Sequence, residues 1–139
     1  ELRYDRAEAT AIKISVALAG LPGITRVLHP SLPDHPDHNR AVQVLGNRSG
    51  NMMSFEVAGG RKAANALTNA APDLPFAPTL GDVGTTLSHP ASSSHRALTQ
   101  EERAALGMSE GFFRVSVGLE DSALLIAELS EAIAASQKA

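Results

Sequence analysis

The apolar positions in the first twenty residues follow a helical period. They recur at three- and four-residue steps along one side of a helix, at Leu2, Ala9, Ile12, Val16 and Ala19. Gly20, followed by Pro22 and Gly23, is typical of a helix end. The pattern predicts a long N-terminal helix over about residues 1–19, with this stripe as its apolar face.

Alternation of apolar and polar side chains predicts strands at residues 51–57 and 112–117. Their apolar sides are Met53, Phe55 and Val57 in the first and Phe113, Val115 and Val117 in the second. Side chains two apart in a strand share a face, so each strand has one face suited to a core. Two short β-rich segments, residues 24–28 and 76–80, are further candidate strands.

Helices are predicted between these strands from their turn and capping residues. Gly59 and Gly60 turn the chain into a helix over residues 61–70, where Ala63, Leu67 and Ala70 form an apolar stripe. Thr99 and Glu102 have the spacing of a capping box, in which each side chain satisfies the other's backbone N–H. This box opens a short helix that Gly107 closes.

The last helix and the two main loops complete the predicted architecture. Asp121 or Ser122 caps a final helix whose apolar positions are Leu125, Leu129 and Ile133. Residues 29–39 contain three prolines and are expected to be an ordered loop, as are residues 88–98. Strands separated by helices predict a two-layer α/β domain, a sheet with helices on one face.

Composition narrows the class of protein without naming a function. The 139 residues suit one domain, and the absence of cysteine excludes disulfides and thiolate metal sites. The net charge is −3 and no basic stripe is present, so neither nucleic acid nor an anionic membrane is an expected partner. No apolar run reaches the roughly 20 residues of a membrane span. A cytoplasmic location is therefore expected.

Arg114 is the candidate binding residue with the clearest chemistry. Its predicted strand places it opposite the apolar face, beside Ser116. A guanidinium on a rigid strand presents two parallel N–H groups that match the two oxygens of a carboxylate. The alternative is a solvated arginine on an exposed sheet face, and the residues alone favour that alternative.

The histidines and serines raise two other possibilities. Metal-dependent hydrolysis would need ligands from His29, His35, His38, His89 and His95, but no HExxH pattern is present and three of these lie in the proline-rich loop. Ser92, Ser93 and Ser94 precede His95 without the surrounding glycines of a nucleophile elbow. Both groups are interpreted as loop-ordering residues, and no metal site is predicted.

Several stretches carry a family resemblance. They are Met53-Ser54-Phe55-Glu56, Thr79-Leu80-Gly81-Asp82-Val83, His89-Pro90-Ala91-Ser92, Leu98-Thr99-Gln100-Glu101-Glu102-Arg103, Gly107-Met108-Ser109-Glu110-Gly111 and Arg114-Val115-Ser116-Val117-Gly118-Leu119-Glu120-Asp121. In this order they resemble the closing region of the Cys/Met-metabolism, or transsulfuration, enzymes that use pyridoxal phosphate (PLP). This family includes cystathionine γ-synthase, cystathionine γ-lyase, methionine γ-lyase and the O-acyl-homoserine sulfhydrylases.

The resemblance implies a fold and a role for two residues. Residues 1–139 would form the C-terminal small domain of a fold-type-I PLP enzyme, with a mostly antiparallel sheet. Arg114 would bind the α-carboxylate of the amino-acid substrate, and Thr79, where the family usually has serine, would assist it. The missing partner would be an N-terminal PLP domain, and the parent enzyme would be a homotetramer. The opening at Glu1, without an initiator Met or an N-cap residue, agrees with a fragment.

The sequence also departs from the family pattern at positions that bear on the chemistry. The Schiff-base lysine belongs to a Ser-x-Thr-Lys-like stretch, and Lys13, Lys62 and Lys138 lie in no such context. We therefore expect PLP in the full-length parent but none bound to this fragment, and no catalytic residue within it. Pro78 stands where members that handle cystathionine often have glutamate, which favours a C–S lyase or sulfhydrylase acting on a less charged side chain.

The reaction implied is elimination or replacement at Cβ or Cγ of a sulfur amino acid or an activated homoserine. The alternative from another class is a stand-alone, non-catalytic domain used for binding or assembly. The two hypotheses differ in the sequence upstream of Glu1, where only the enzyme requires a catalytic lysine.

Overall fold

Five helices and four strands make up most of the chain, and the computed structural model describes all of residues 1–139. The helices are α1 (Leu2–Ala19), α2 (His38–Leu45), α3 (Gly60–Ala70), α4 (Gln100–Ala105) and α5 (Ser122–Ser136). The strands are β1 (Ile24–Leu28), β2 (Met52–Val57), β3 (Thr86–Ser88) and β4 (Phe112–Ser116). A 3₁₀ turn spans Pro90–Ser92.

The strands form one antiparallel sheet in the order β1-β2-β4-β3. Arg114 of β4 lies opposite Ser54 of β2 on one side and Ser88 of β3 on the other. Helices α1, α3 and α5 pack together against one face of the sheet. The predicted two-layer fold, with an antiparallel sheet and helices on one face, is confirmed.

The core lies between this face and the three helices. The largest fully buried apolar side chains are Met53, Phe55, Leu87, Phe113, Val115 and Val117 from the sheet side and Ile14, Leu18, Leu67, Leu129 and Ile133 from the helices. The rings of Phe55 and Phe113 stack with their centroids 5.3 Å apart. The alternation predicted for β2 and β4 is therefore confirmed, and it fixes which side chains leave the core.

The apolar face predicted for α1 is wrong. Leu2 and Val16 are 88% and 61% exposed, and the helix instead buries Ala7, Ala11, Ile14 and Leu18. Apolar residues occur on both sides of this helix, so their periodicity alone does not determine which side is buried. The buried face also carries Glu8, Thr10 and Ser15, and these polar residues obscure it in the sequence. No helix in the structure is long and apolar enough to cross a membrane.

Two assignments around the loops also need correction. The predicted loop at residues 29–39 is a series of turns, but α2 begins inside it at His38 and buries none of its side chains. Its apolar side chains Val42, Val44 and Leu45 are exposed in this chain.

The candidate strand at residues 76–80 is wrong, and the edge strand is β3 instead. Only Phe76 pairs with Leu87, through a single parallel bridge. Pro75 and Pro78 lack the N–H that a strand ladder requires, so pairing cannot continue past this point. The chain then leaves the sheet edge between Pro78 and Thr86.

The predicted helix caps are confirmed. The Thr99 N–H donates to the Glu102 carboxylate at 2.7 Å, and the Glu102 N–H donates to the Thr99 hydroxyl at 3.2 Å. Asp121 caps α5 by accepting the Ala123 N–H at 2.8 Å. Gly107 follows α4 with φ of +75°, a left-handed conformation that favours glycine.

Gly118 is predicted to be a glycine whose replacement destabilises the fold. A Cβ at this position would overlap the Val83 carbonyl oxygen and the Thr85 nitrogen, whereas a Cβ at Gly20 meets nothing within 4 Å. Gly118→Ala should lower the free energy of unfolding by about 1–3 kcal/mol, and Gly20→Ala should not lower it. Urea unfolding of the two variants measures the difference. Equal stability would contradict the close approach.

Candidate functional site

The face of the sheet opposite the helices carries the polar side chains, and we call it the open face. Its side chains are mostly polar and are Arg26, Leu28, Met52, Ser54, Glu56, Thr86, Ser88, Phe112, Arg114 and Ser116. They lie there because their neighbours in each strand are buried in the core, and successive side chains point to opposite faces. The open face therefore follows directly from the apolar alternation.

Arg114 lies half-buried in the middle of this face, between two serines. Its guanidinium donates to the backbone carbonyl oxygen of Thr79 at 3.4 Å. No acidic side chain forms an ion pair with it, in contrast to Arg26, the other strand arginine, which pairs with Glu56 at 3.0 Å. Arg114 is thus a strand-mounted cation without an anionic partner in this chain.

Thr79 reaches Arg114 through the turn of residues 79–81. Gly81 has φ of +76°, and its N–H donates to the Ser116 hydroxyl at 2.9 Å. The Thr86 hydroxyl donates to the Thr79 carbonyl oxygen at 3.2 Å. The structure thus brings the two residues singled out in the sequence together, with the Thr79 backbone making the contact.

The far side of the same loop is held by residues that follow β4. The Leu119 N–H donates to the Val83 carbonyl at 2.8 Å. The Glu120 carboxylate accepts the Thr85 N–H at 2.6 Å and the Thr85 hydroxyl at 2.8 Å. The segment between Thr79 and Thr85 is therefore anchored at both ends to β4 and the residues immediately after it.

A second polar cluster lies at the other end of β4, and the sequence motifs gave no role for it. The Glu110 carboxylate accepts the Arg61 Nε–H at 2.6 Å on one oxygen and the Arg103 Nε–H at 3.1 Å on the other. Hydrogen bonding from Arg103, with a further contribution from Arg61, lowers the pKa of Glu110 although burial opposes the shift. This carboxylate joins α3, α4 and the start of β4.

His89 belongs to the same cluster and has a defined tautomer. Its Nδ1 lies 2.7 Å from the Ser92 hydroxyl and its Nε2 lies 2.8 Å from the Glu110 carbonyl oxygen. A carbonyl only accepts, so Nε2 carries the proton. The ring also lies 5.0 Å from the Phe113 ring. Burial lowers the pKa of His89, which favours this neutral form.

The remaining histidines of the metal hypothesis hold the loop after β1. His29 is buried, with Nδ1 accepting the Ser31 N–H at 3.3 Å and Nε2 facing the Gly50 carbonyl at 3.1 Å. His38 Nδ1 lies 2.8 Å from the Pro30 carbonyl oxygen. No three His, Asp or Glu side chains lie close enough together to hold a metal ion.

The other serine and histidine candidates form only a local contact. The Ser94 hydroxyl lies 2.8 Å from His95 Nδ1, and Ser94 is exposed. The three lysines also lie away from Arg114: Lys13 on α1, Lys62 on α3 and Lys138 after α5, all exposed. The open face therefore carries two arginines, Arg26 and Arg114, and several hydroxyls, but no lysine amine.

Comparison with known proteins assigns the chain to a family. Residues 1–134 match the Cys/Met metabolism PLP-dependent enzymes. The chain belongs to this family. It is 38% identical to an O-succinylhomoserine sulfhydrylase of Pseudomonas aeruginosa over 96% of its length and 33% of that protein. It is 39% identical to an L-methionine gamma-lyase of Pseudomonas putida over 97% of its length and 34% of that protein.

The fold agrees with solved structures of the same family. A cystathionine gamma synthase from Xanthomonas oryzae, solved with cystathionine, superimposes with a TM-score of 0.89 at 34% identity. The match covers 99% of this chain and 35% of that one. The chain thus spans about a third of the length of its relatives and corresponds to their C-terminal domain.

Acid should destabilise the fold through its buried histidines. Burial lowers the pKa of both His29 and His89 from the ordinary value of 6.5. Below about pH 6.5 the unfolded chain binds protons that the folded chain does not, so stability falls with pH, by up to ~1.4 kcal/mol per unit for each histidine. Urea unfolding between pH 7.5 and 5.5 measures the slope. A His29→Gln/His89→Gln double variant should show a flatter slope, and an equal slope would contradict the assignment.

Proposed function

We propose that this chain supplies the substrate α-carboxylate clamp of a PLP-dependent enzyme of transsulfuration type. Arg114 binds the carboxylate, and Thr79 orients Arg114 through its carbonyl oxygen. The observation that supports the proposal is the strand-mounted guanidinium of Arg114, which has no acidic partner in this chain. A half-buried cation of this kind is complementary to a planar anion.

The local geometry supports a bidentate carboxylate contact. The Thr79 carbonyl accepts from one terminal nitrogen of Arg114 at 3.4 Å, so the other N–H groups of the guanidinium are available to a ligand. Ser54 and Ser88 flank Arg114 on the neighbouring strands and keep its surroundings polar without adding a competing negative charge. A carboxylate bound there would be positioned by a rigid strand.

The clamp would serve a part of the substrate that all relatives share. O-succinylhomoserine, methionine and cystathionine, named in the relatives, are all α-amino acids and differ only in the side chain. The α-carboxylate is common to them, so Arg114 would orient substrate without choosing the reaction. We propose C–S lysis or γ-replacement at Cβ or Cγ of a sulfur amino acid or activated homoserine.

Pro78 favours substrates with a less charged side chain. It precedes Thr79 and has no polar group with which to meet a distal ammonium. Leu80, which follows Thr79 and is 63% exposed, adds a further apolar group next to the proposed carboxylate site. A lyase or sulfhydrylase is therefore favoured over an enzyme specialised for cystathionine.

The residues of this chain do not fit PLP on their own. Its three lysines are exposed on α1, on α3 and after α5, and none lies on the open face. In the intact enzyme PLP would withdraw electrons from the substrate Cα. The lysine, the phosphate site and the remaining cofactor contacts would come from an N-terminal domain, which we propose as the partner of this chain within a homotetramer.

Replacing Arg114 tests the clamp in the intact enzyme that contains this chain. Arg114→Ala should raise the KM for L-methionine or O-succinyl-L-homoserine, whichever is turned over, on the order of 30- to 150-fold, because ~2–3 kcal/mol of charged hydrogen bonding is lost. Arg114→Lys should give an intermediate KM, since it keeps the charge but not the fork. PLP content, measured by its visible absorbance, should be unchanged.

Arg96→Ala is the control for this experiment. Arg96 is exposed and its side chain makes no ion pair in the structure. Its KM should equal that of the wild type. A wild-type KM in Arg114→Ala would refute the clamp.

The isolated 139-residue chain should not retain PLP. After incubation with PLP and reduction with borohydride, mass spectrometry should find no stoichiometric cofactor adduct, because no lysine lies on the open face. The intact enzyme, treated identically, should carry one PLP per subunit. A stoichiometric adduct on one lysine of the isolated chain would contradict this division of roles.

A further inference from the structure

Two buried hydroxyls lie beneath the turn that contacts Arg114. Thr86 is 7% exposed and Ser116 is 1% exposed, although both lie on the open face of the sheet. They are directly opposite one another in the β3–β4 pair. They are buried because the turn of residues 79–81, itself exposed, covers them.

Each hydroxyl binds a backbone atom of this turn. The Thr86 hydroxyl donates to the Thr79 carbonyl oxygen at 3.2 Å, and the Ser116 hydroxyl accepts the Gly81 N–H at 2.9 Å. The same Thr79 oxygen accepts the Arg114 guanidinium at 3.4 Å. One carbonyl oxygen therefore receives both a fixed strand hydroxyl and the cation of the proposed clamp.

We infer that Thr86 and Ser116 are positioning residues of the carboxylate clamp: they fix the turn of residues 79–81 so that the Thr79 carbonyl sets the orientation of the Arg114 guanidinium. This inference rests on the proposed function of Arg114. Neither hydroxyl touches the substrate, because both are covered by the turn.

The physical reason lies in the freedom of the arginine side chain. A half-buried guanidinium at the end of several rotatable bonds binds a carboxylate well only if its plane is set beforehand. The carbonyl can set that plane only if it is itself immobile, and its turn contains Gly81, a flexible residue. Thr86 holds the acceptor oxygen and Ser116 holds the turn two residues further along.

The test uses matched variants at Thr86 in the intact enzyme. Thr86→Val removes the hydroxyl, keeps the shape and suits a strand, whereas Thr86→Ser keeps the hydroxyl. Thr86→Val should raise the KM for the turned-over substrate, L-methionine or O-succinyl-L-homoserine, roughly three- to tenfold with kcat within about twofold. Thr86→Ser should have the same KM as the wild type. Ser116→Ala should have the same effect as Thr86→Val.

A double variant separates positioning from a general loss of stability. In an Arg114→Ala background, Thr86→Val should leave the KM unchanged, because it acts only through Arg114. A full additional increase in the double variant would overturn the inference, as would a wild-type KM in Thr86→Val. If Arg114→Ala raises the KM and Thr86→Val does not, the clamp stands and the inference fails. If Arg114→Ala itself has no effect, both fail.

Discussion

Two buried neighbours determine where Arg114 points. Phe113 and Val115 are fully buried against the helices, and the pleat of β4 then sends Arg114 to the opposite face. Moving the strand by one residue would bury the guanidinium and expose both apolar side chains, so the register is strongly fixed. The chemistry of the open face is thus a consequence of packing on the closed face.

The loop of residues 79–85 lies over part of the open face and completes the candidate site by contacting Arg114. Its ends are anchored by the Thr86 hydroxyl at Thr79 and by the Glu120 carboxylate at Thr85. Gly118, which has no Cβ, lets the chain after β4 lie close to the loop backbone at Val83 and Thr85. The anchors come from β3, from β4 and from the residues immediately after β4. Residues 114–120 therefore provide the cation and, together with Thr86 of β3, the support of the turn that faces it.

Much of this arrangement could be predicted from the sequence, because alternation and capping are local signals. Alternation placed Arg114 opposite the core, and the spacing of Thr99 and Glu102 gave the start of α4. The buried face of α1 could not be predicted, since apolar residues occur on both of its sides. Nor could the Glu110 cluster, whose members, Arg61, His89, Arg103 and Glu110, come from four separate segments and meet only through tertiary packing.

The strand order has a consequence for how the chain is made. β4 lies between β2 and β3, and its residue Ser116 pairs with both Met52 of β2 and Thr86 of β3. During synthesis β2 and β3 emerge first and have no common neighbour until β4 leaves the ribosome. The nascent chain therefore carries unpaired strand edges until β4 has been synthesised, and early packing of α1 on the β1–β2 pair would cover part of the sheet in the meantime.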